Sequence, residues 1–179
     1  AVGSADEVLT HDGTDFGWAA ASAGGITAAS QWRLTTSFTG AADPIASNLE
    51  EVDTDGYGTL GSSMTESSGI FTFPSTGYWL IEFTGEFYYD GDSRYNQAKI
   101  LTTTDDNTYN DAAYSTGGIA QAEGSSTHAN AKASFIFDVT STSTHKVRFT
   151  VATSDASVTC WGSSTLNKTH MTFIRLGDT

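Results

Sequence analysis

The chain has 179 residues, of which 38% are hydrophobic and 12% aromatic, and its 21 Asp and Glu against 8 Lys and Arg give a formal charge of -13. That acidity opposes the phosphate contacts behind nucleic-acid affinity, and no apolar run approaches the roughly 18 residues of a membrane helix, so neither nucleic acid nor membrane insertion is expected. The length suits one domain with a full core; Cys160, the only cysteine, excludes an intrachain disulfide and a cysteine-cluster metal site and fits folding in a reducing cytoplasm.

The chain opens AVGSADEV, with neither a basic n-region nor an apolar h-region, so a secretory signal is not expected within this numbering. Glu7-Val8-Leu9-Thr10, then His11-Asp12-Gly13-Thr14, then Asp15-Phe16-Gly17-Trp18 predict a small hairpin around an Asp-Gly turn, and Ala19 to Ala29 read as a small-residue linker. An isolated two-stranded hairpin is marginal in water, so it is expected to lean on the following domain or on copies of itself. Residues 1–28 are therefore set apart as a stalk-end segment from a knob over 29–179.

From Gln31 onward strands are predicted over residues 32–38, 70–73, 79–89, 95–102, 131–139, 145–152 and 169–176, with weaker signals over 49–52 and 112–119. Trp79, Ile81, Phe83 and Phe87 alternate with Leu80, Glu82, Thr84 and Glu86, the period-two pattern of a half-buried strand. Phe135, Phe137 and Val139, and Val147, Phe149 and Val151, alternate likewise. The expected core contains Trp79, Ile81, Phe83, Phe135, Phe137, Val147 and Phe149. Helical periodicity is absent, and about eight to ten short strands without crossover helices imply an all-β, antiparallel jelly-roll sandwich.

Residues 69–83, GIFTFPSTGYWLIEF, carry a fixed turn: Pro74 removes a ladder donor and Gly77 can take positive φ. With Gly69, Phe71, Pro74, Gly77, Trp79, Ile81 and Phe83 in place, this stretch resembles the central strand pair of the complement C1q and tumour necrosis factor-like jelly roll. The final strand, MTFIRL over residues 171–176, is similar to that family's closing strand, and the likeness spans about residues 31–177. The front, GSADEVLTHDGTDFGWAAA, resembles segments that precede knob domains in bacteriophage tail fibres and related virion appendages.

Together the resemblances imply a homotrimeric knob on a virion surface appendage, made in the host cytoplasm, that binds a host-surface glycan or protein receptor and joins other virion proteins. The alternative they leave is a structural virion protein, a capsid decoration or head-fibre tip acting in assembly or shell stability. Tyr88, Tyr89 and Tyr95 flank the Asp90-Gly91-Asp92-Ser93-Arg94 turn, an aromatic and polar group suited to stacking on sugar rings or packing on another subunit. Tyr88, Tyr89, Asp90, Asp92, Arg94 and Tyr95 are thus the candidate receptor residues.

Other motifs point away from chemistry. GYGTLG, residues 56–61, has the Gly-x-Gly-x-x-Gly spacing but no following helix, and DTDGYG, residues 53–58, lacks the later carboxylates of a calcium loop. The family resemblance makes calcium conceivable at Asp90, Asp92, Asp105 and Asp106; turn chemistry is the preferred reading of these aspartates, and no metal or cofactor is assigned. His11, His128, His145 and His170 share no ligand spacing, no nucleophile elbow occurs, and adjacent Glu50 and Glu51 point to opposite strand faces, so no catalytic residue is assigned and an enzyme is not expected.

Overall fold

Period-two alternation becomes strand throughout the computed structural model, which describes residues 7–11, 13–20 and 25–179. The strands are β1 (Glu7–His11), β2 (Phe16–Ala20), β3 (Ala29–Leu34), β4 (Phe38–Thr39), β5 (Leu49–Glu51), β6 (Thr65–Ser67), β7 (Ile70–Thr72), β8 (Gly77–Tyr89), β9 (Ser93–Thr103), β10 (Asn110–Ile119), β11 (Thr127–Val139), β12 (Lys146–Thr153), β13 (Thr159–Cys160) and β14 (His170–Gly177). Residues 1–6, Asp12 of the predicted Asp-Gly turn and linker residues 21–24 lie outside the described residues.

One sheet runs β10-β9-β12-β7-β6; the other runs β11-β8-β14-β3-β5, with β13 and β4 extending the β14 and β3 lanes, and every pairing is antiparallel. This is the jelly-roll sandwich. It has more strands than the patterns suggested because β4, β6 and β13, of two or three residues, are too short to display a period. The run predicted over 32–38 is divided between β3, which ends at Leu34, and β4, which starts at Phe38; Thr35 N–H still donates to Asn48 O beside β5.

The turn at Pro74 does not make a hairpin. β7 pairs with β6 and β12 in one sheet, whereas β8 pairs with β11, β13 and β14 in the other, so residues 73–76 carry the chain across the sandwich. That explains the bulk on either side: Phe71 and Phe73 before the turn and Trp79, Ile81 and Phe83 after it enter the core from opposite walls, and Phe73 meets Trp79 at 5.4 Å. Trp79 Nε1 donates to Ser75 O, tying the indole to the turn.

Phe71 sits at the centre, with ring centroids 5.3 Å from Trp32, 5.4 Å from Phe149 and 5.3 Å from Phe173. Trp79, Ile81, Phe83, Phe137, Val147 and Phe149 are buried as expected. Phe135 is the exception. It points to the core side and packs on Phe137 at 6.1 Å but stays half-buried, because β11 is an edge strand bonded only to β8.

Ahead of the sandwich, β1 pairs with β2, setting Leu9 opposite Trp18 and His11 opposite Phe16 on one face. Leu9, Phe16 and Trp18 are all exposed.

Candidate functional site

The strand order β10-β9-β12 dictates which loops meet at one end of the sandwich. Ile119, at the end of β10, pairs with Ser93 at the start of β9, and Thr153, at the end of β12, pairs with Asn96. The turns that follow or precede these residues border an open cleft of about 600 Å³ lined by Asp92, Ser93, Arg94, Ile119, Ala120, Ser154 and Asp155.

Its polar groups are held from behind. Asp92 Oδ1 accepts from Gln121 N–H at 2.8 Å and Asp90 Oδ1 from Gln121 Nε2 at 2.7 Å, so both aspartates clamp the loop after β10. Asp155 Oδ1 accepts from Ser157 N–H at 2.7 Å; this backbone bond, with a contribution from the Tyr89 hydroxyl, holds the carboxyl below the usual aspartate range. Ser93 Oγ donates to Asn96 Oδ1 at 2.9 Å and lies 3.0 Å from Ser154 Oγ, forming a buried hydroxyl and amide network in which Asn96 Nδ2 has no partner. Arg94 is exposed, with its guanidinium 5.8 Å from the Tyr95 ring centroid.

The six candidate receptor residues therefore part company. Asp92 and Arg94 line the cleft, Asp90 braces its wall, Tyr95 lies beside Arg94, and Tyr89, half-buried against the core, reaches towards Asp155. Tyr88 points to the opposite side of β8. There it joins His128 at 5.6 Å and Trp161 at 5.6 Å, and Lys168 Nζ lies 3.9 Å from the Trp161 ring centroid. Ser93, Ile119, Ala120, Ser154 and Asp155, and on the other side His128 and Trp161, escaped sequence reasoning because they come from loops and strands far away in the chain. A positive signal existed only for Asp155, which follows β12 in a Ser-Asp turn.

The outer face of the second sheet carries a further feature. Leu80 on β8 pairs with Ile136 of β11 on one side and Ile174 of β14 on the other, and Ile174 pairs with Ala29 of β3, a cross-strand apolar row. Ile136 is 57% exposed, and Tyr78 and Leu176 beside the row are exposed as well. Above it the face is polar, with Lys132 Nζ 2.7 Å from Glu82.

Of the aspartates raised as calcium donors, Asp90 and Asp92 accept from Gln121 and Asp105 caps its own turn. Asp105 Oδ1 accepts from Thr108 N–H, the Thr103 hydroxyl and Asn107 N–H, a turn cap that pulls its carboxyl far below the usual range. Among the described residues, no group of three or more His, Cys, Asp or Glu side chains is placed to hold a metal ion.

No protein-family model and no curated protein matches the chain. Solved structures do. Murine APRIL at pH 5.0 superposes with a TM-score of 0.59 at 9% identity, and murine APRIL at pH 8.5 with 0.56 at 10%; both alignments cover 83% of this chain and 98% of that one. Murine APRIL at pH 8.0 gives 0.52 at 10% identity over the same shares. At such identity the likeness concerns the fold, which is a tumour necrosis factor-like jelly roll.

Proposed function

We propose that the chain is a non-enzymatic, homotrimeric knob of a virion appendage, a phage tail fibre or its like, and that it recognises a host-cell surface receptor with the loop end of the sandwich. The virion setting rests on the resemblance of residues 3–21 to segments that precede fibre knobs. The observation that carries the oligomer is the apolar row of the exposed Ile136 and the half-buried Leu80 and Ile174, flanked by the exposed Tyr78 and Leu176, on the outer face of the second sheet. A contiguous apolar patch that stays in reach of water marks a surface that associates. Trimerisation through this face leaves the loop-end clefts free and repeats them at fixed spacing, so weak single contacts gain strength through effective concentration.

In this reading β1, β2 and the linker end the stalk, and the exposed Leu9 and Phe16 offer a face to stalk neighbours or other virion proteins. The test has two parts. Light scattering should give three times the chain mass, and the purified protein should compete with virions for adsorption to their host. Immunogold labelling spread over the whole shell instead of an appendage would favour the capsid-decoration alternative.

A further inference from the structure

We infer that the loop-end cleft binds the neutral, hydroxyl-rich terminus of a glycan, with Arg94 as hydrogen-bond donor and Asp92 and Asp155 as acceptors. The inference rests on the receptor-binding reading of the same cleft and names its ligand class.

Arg94 is the first reason. Arg33 is bonded to Glu50 and Asp53, Arg148 lies 3.3 Å from Asp43, and Arg175 is bonded to Asp178. Among the described residues Arg94 is the arginine without a carboxylate partner, in a chain where acids outnumber bases 21 to 8. Two carboxylates line the same cleft, yet each is turned to a backbone N–H, Asp92 to Gln121 and Asp155 to Ser157. The guanidinium donors are left over, and the carboxylates, Asp92 oriented by Gln121 and Asp155 by Ser157 and the Tyr89 hydroxyl, keep lone pairs for a ligand.

Charge then selects the ligand. Two carboxylates and one guanidinium share the cleft on a protein of formal charge -13, a balance that repels an anionic group while leaving both donors and acceptors on offer. A sugar hydroxyl meets both needs, since it accepts from the guanidinium and donates to a carboxylate. Ser154 supplies a further hydroxyl, and the exposed Ala120 leaves a small apolar patch for the C–H face of a pyranose. The cleft is broad and open to solvent, so a terminal sugar can reach Arg94, Asp92 and Asp155 without displacing a loop. The Asp90 and Asp92 clamp on Gln121 pre-forms the wall, so little ordering is lost on binding.

The full-length protein should be applied to an array of neutral glycans ending in hexose or N-acetylhexosamine, beside sialylated and uronate-bearing glycans. Saturable binding to neutral glycans is expected, reduced about tenfold or more in Arg94→Gln, as for loss of a charge-assisted hydrogen bond. Ala120→Trp, which fills the cleft without removing a polar group, should lose binding too, while Tyr114→Ala, at an exposed site on β10 outside the cleft lining, should keep it; unchanged melting curves identify folded variants. Binding confined to anionic glycans, binding indifferent to both cleft variants, or no binding to any glycan would overturn the inference. Adsorption competition run in parallel separates the two ideas. A protein that blocks adsorption without binding glycans refutes the ligand class alone, and one that binds neutral glycans through Arg94 without blocking adsorption refutes the receptor reading alone.

Discussion

Arg33 Nη2 donates to the Asp53 carboxylate over 2.6 Å, and the same guanidinium, 1% exposed, donates to Glu50 and Thr54. An arginine on the outer side of β3 thus pins the loop that follows β5. Burial is unequal across this group: the cation is enclosed and the two acids reach water. Glu50→Gln combined with Asp53→Asn strands a buried charge and should cost about 3–5 kcal/mol. Arg33→Met leaves carboxylates that water can solvate and should cost distinctly less. Urea unfolding of the two variants measures the difference; equal losses would mean that the ion pairs act only as packing.

Gly69 and Gly77 frame the crossing from one sheet to the other, and each has positive φ, 82° and 135°. A Cβ at Gly69 would lie 2.5 Å from Ile45 O, and one at Gly77 2.4 Å from Gly177 O. Both obstacles are backbone. Gly69→Ala and Gly77→Ala should each lose about 1–3 kcal/mol from conformation alone, with the clash adding to it, and show as lowered melting temperatures.

Phe83 is fully buried and meets Phe149 at 5.0 Å, whereas Phe135 covers the core edge from β11. Phe83→Ala should cost about 3–5 kcal/mol as a large-to-small core change. Phe135→Ala should cost less than half of that, because the ring keeps water contact in the native state. A larger loss at Phe135 would show that β11 is more deeply covered in the assembled protein.

These residues mark where the fold was legible in the sequence. Alternation along Trp79, Ile81, Phe83 and Phe87 is a local property of one strand, and Gly69, Pro74 and Gly77 are constraints on single φ values, so both survive in one dimension. Which sheet each strand joins is not local, and the Pro74 turn therefore read as joining a strand pair although it crosses between sheets. The cleft was half legible for the same reason. The Asp90 to Arg94 turn announced itself by composition, but its opposite wall, Ile119, Ala120, Ser154 and Asp155, arrives only through β-ladder register.

Cys160 is enclosed by β8, β13 and Thr169, and burial pushes its thiol up to about 12, helped by Glu86 and opposed by the Thr169 hydroxyl. The unfolded thiol ionises near its ordinary value of about 8.5, so from there to about 12 the unfolded chain holds fewer protons than the native one. Stability should therefore fall as pH rises through that window, this one group contributing a slope of up to about 1.4 kcal/mol per pH unit. In Cys160→Ala that component of the slope should vanish. Iodoacetamide should label native protein only as fast as it opens; rapid labelling at pH 8 would show that the thiol is accessible.

The last prediction concerns the row of Ile136, Leu80 and Ile174. An aspartate at position 136 would project from an exposed site on β11, where the folded monomer can hydrate it, so Ile136→Asp should leave the melting of the isolated sandwich nearly unchanged. In a trimer closed over this face, the same substitution puts three carboxylates into a desolvated apolar contact, and the penalty falls on association alone. Light scattering should thus report trimer for the parent and monomer for Ile136→Asp at equal concentration, with the Arg94 cleft intact in both. Glycan binding on a densely coated array should weaken in the monomer, while the affinity of a single cleft for a soluble monovalent glycan stays the same. Should Ile136→Asp remain trimeric, the contacts lie elsewhere, and the exposed faces of β1 and β2 become the next surface to mutate.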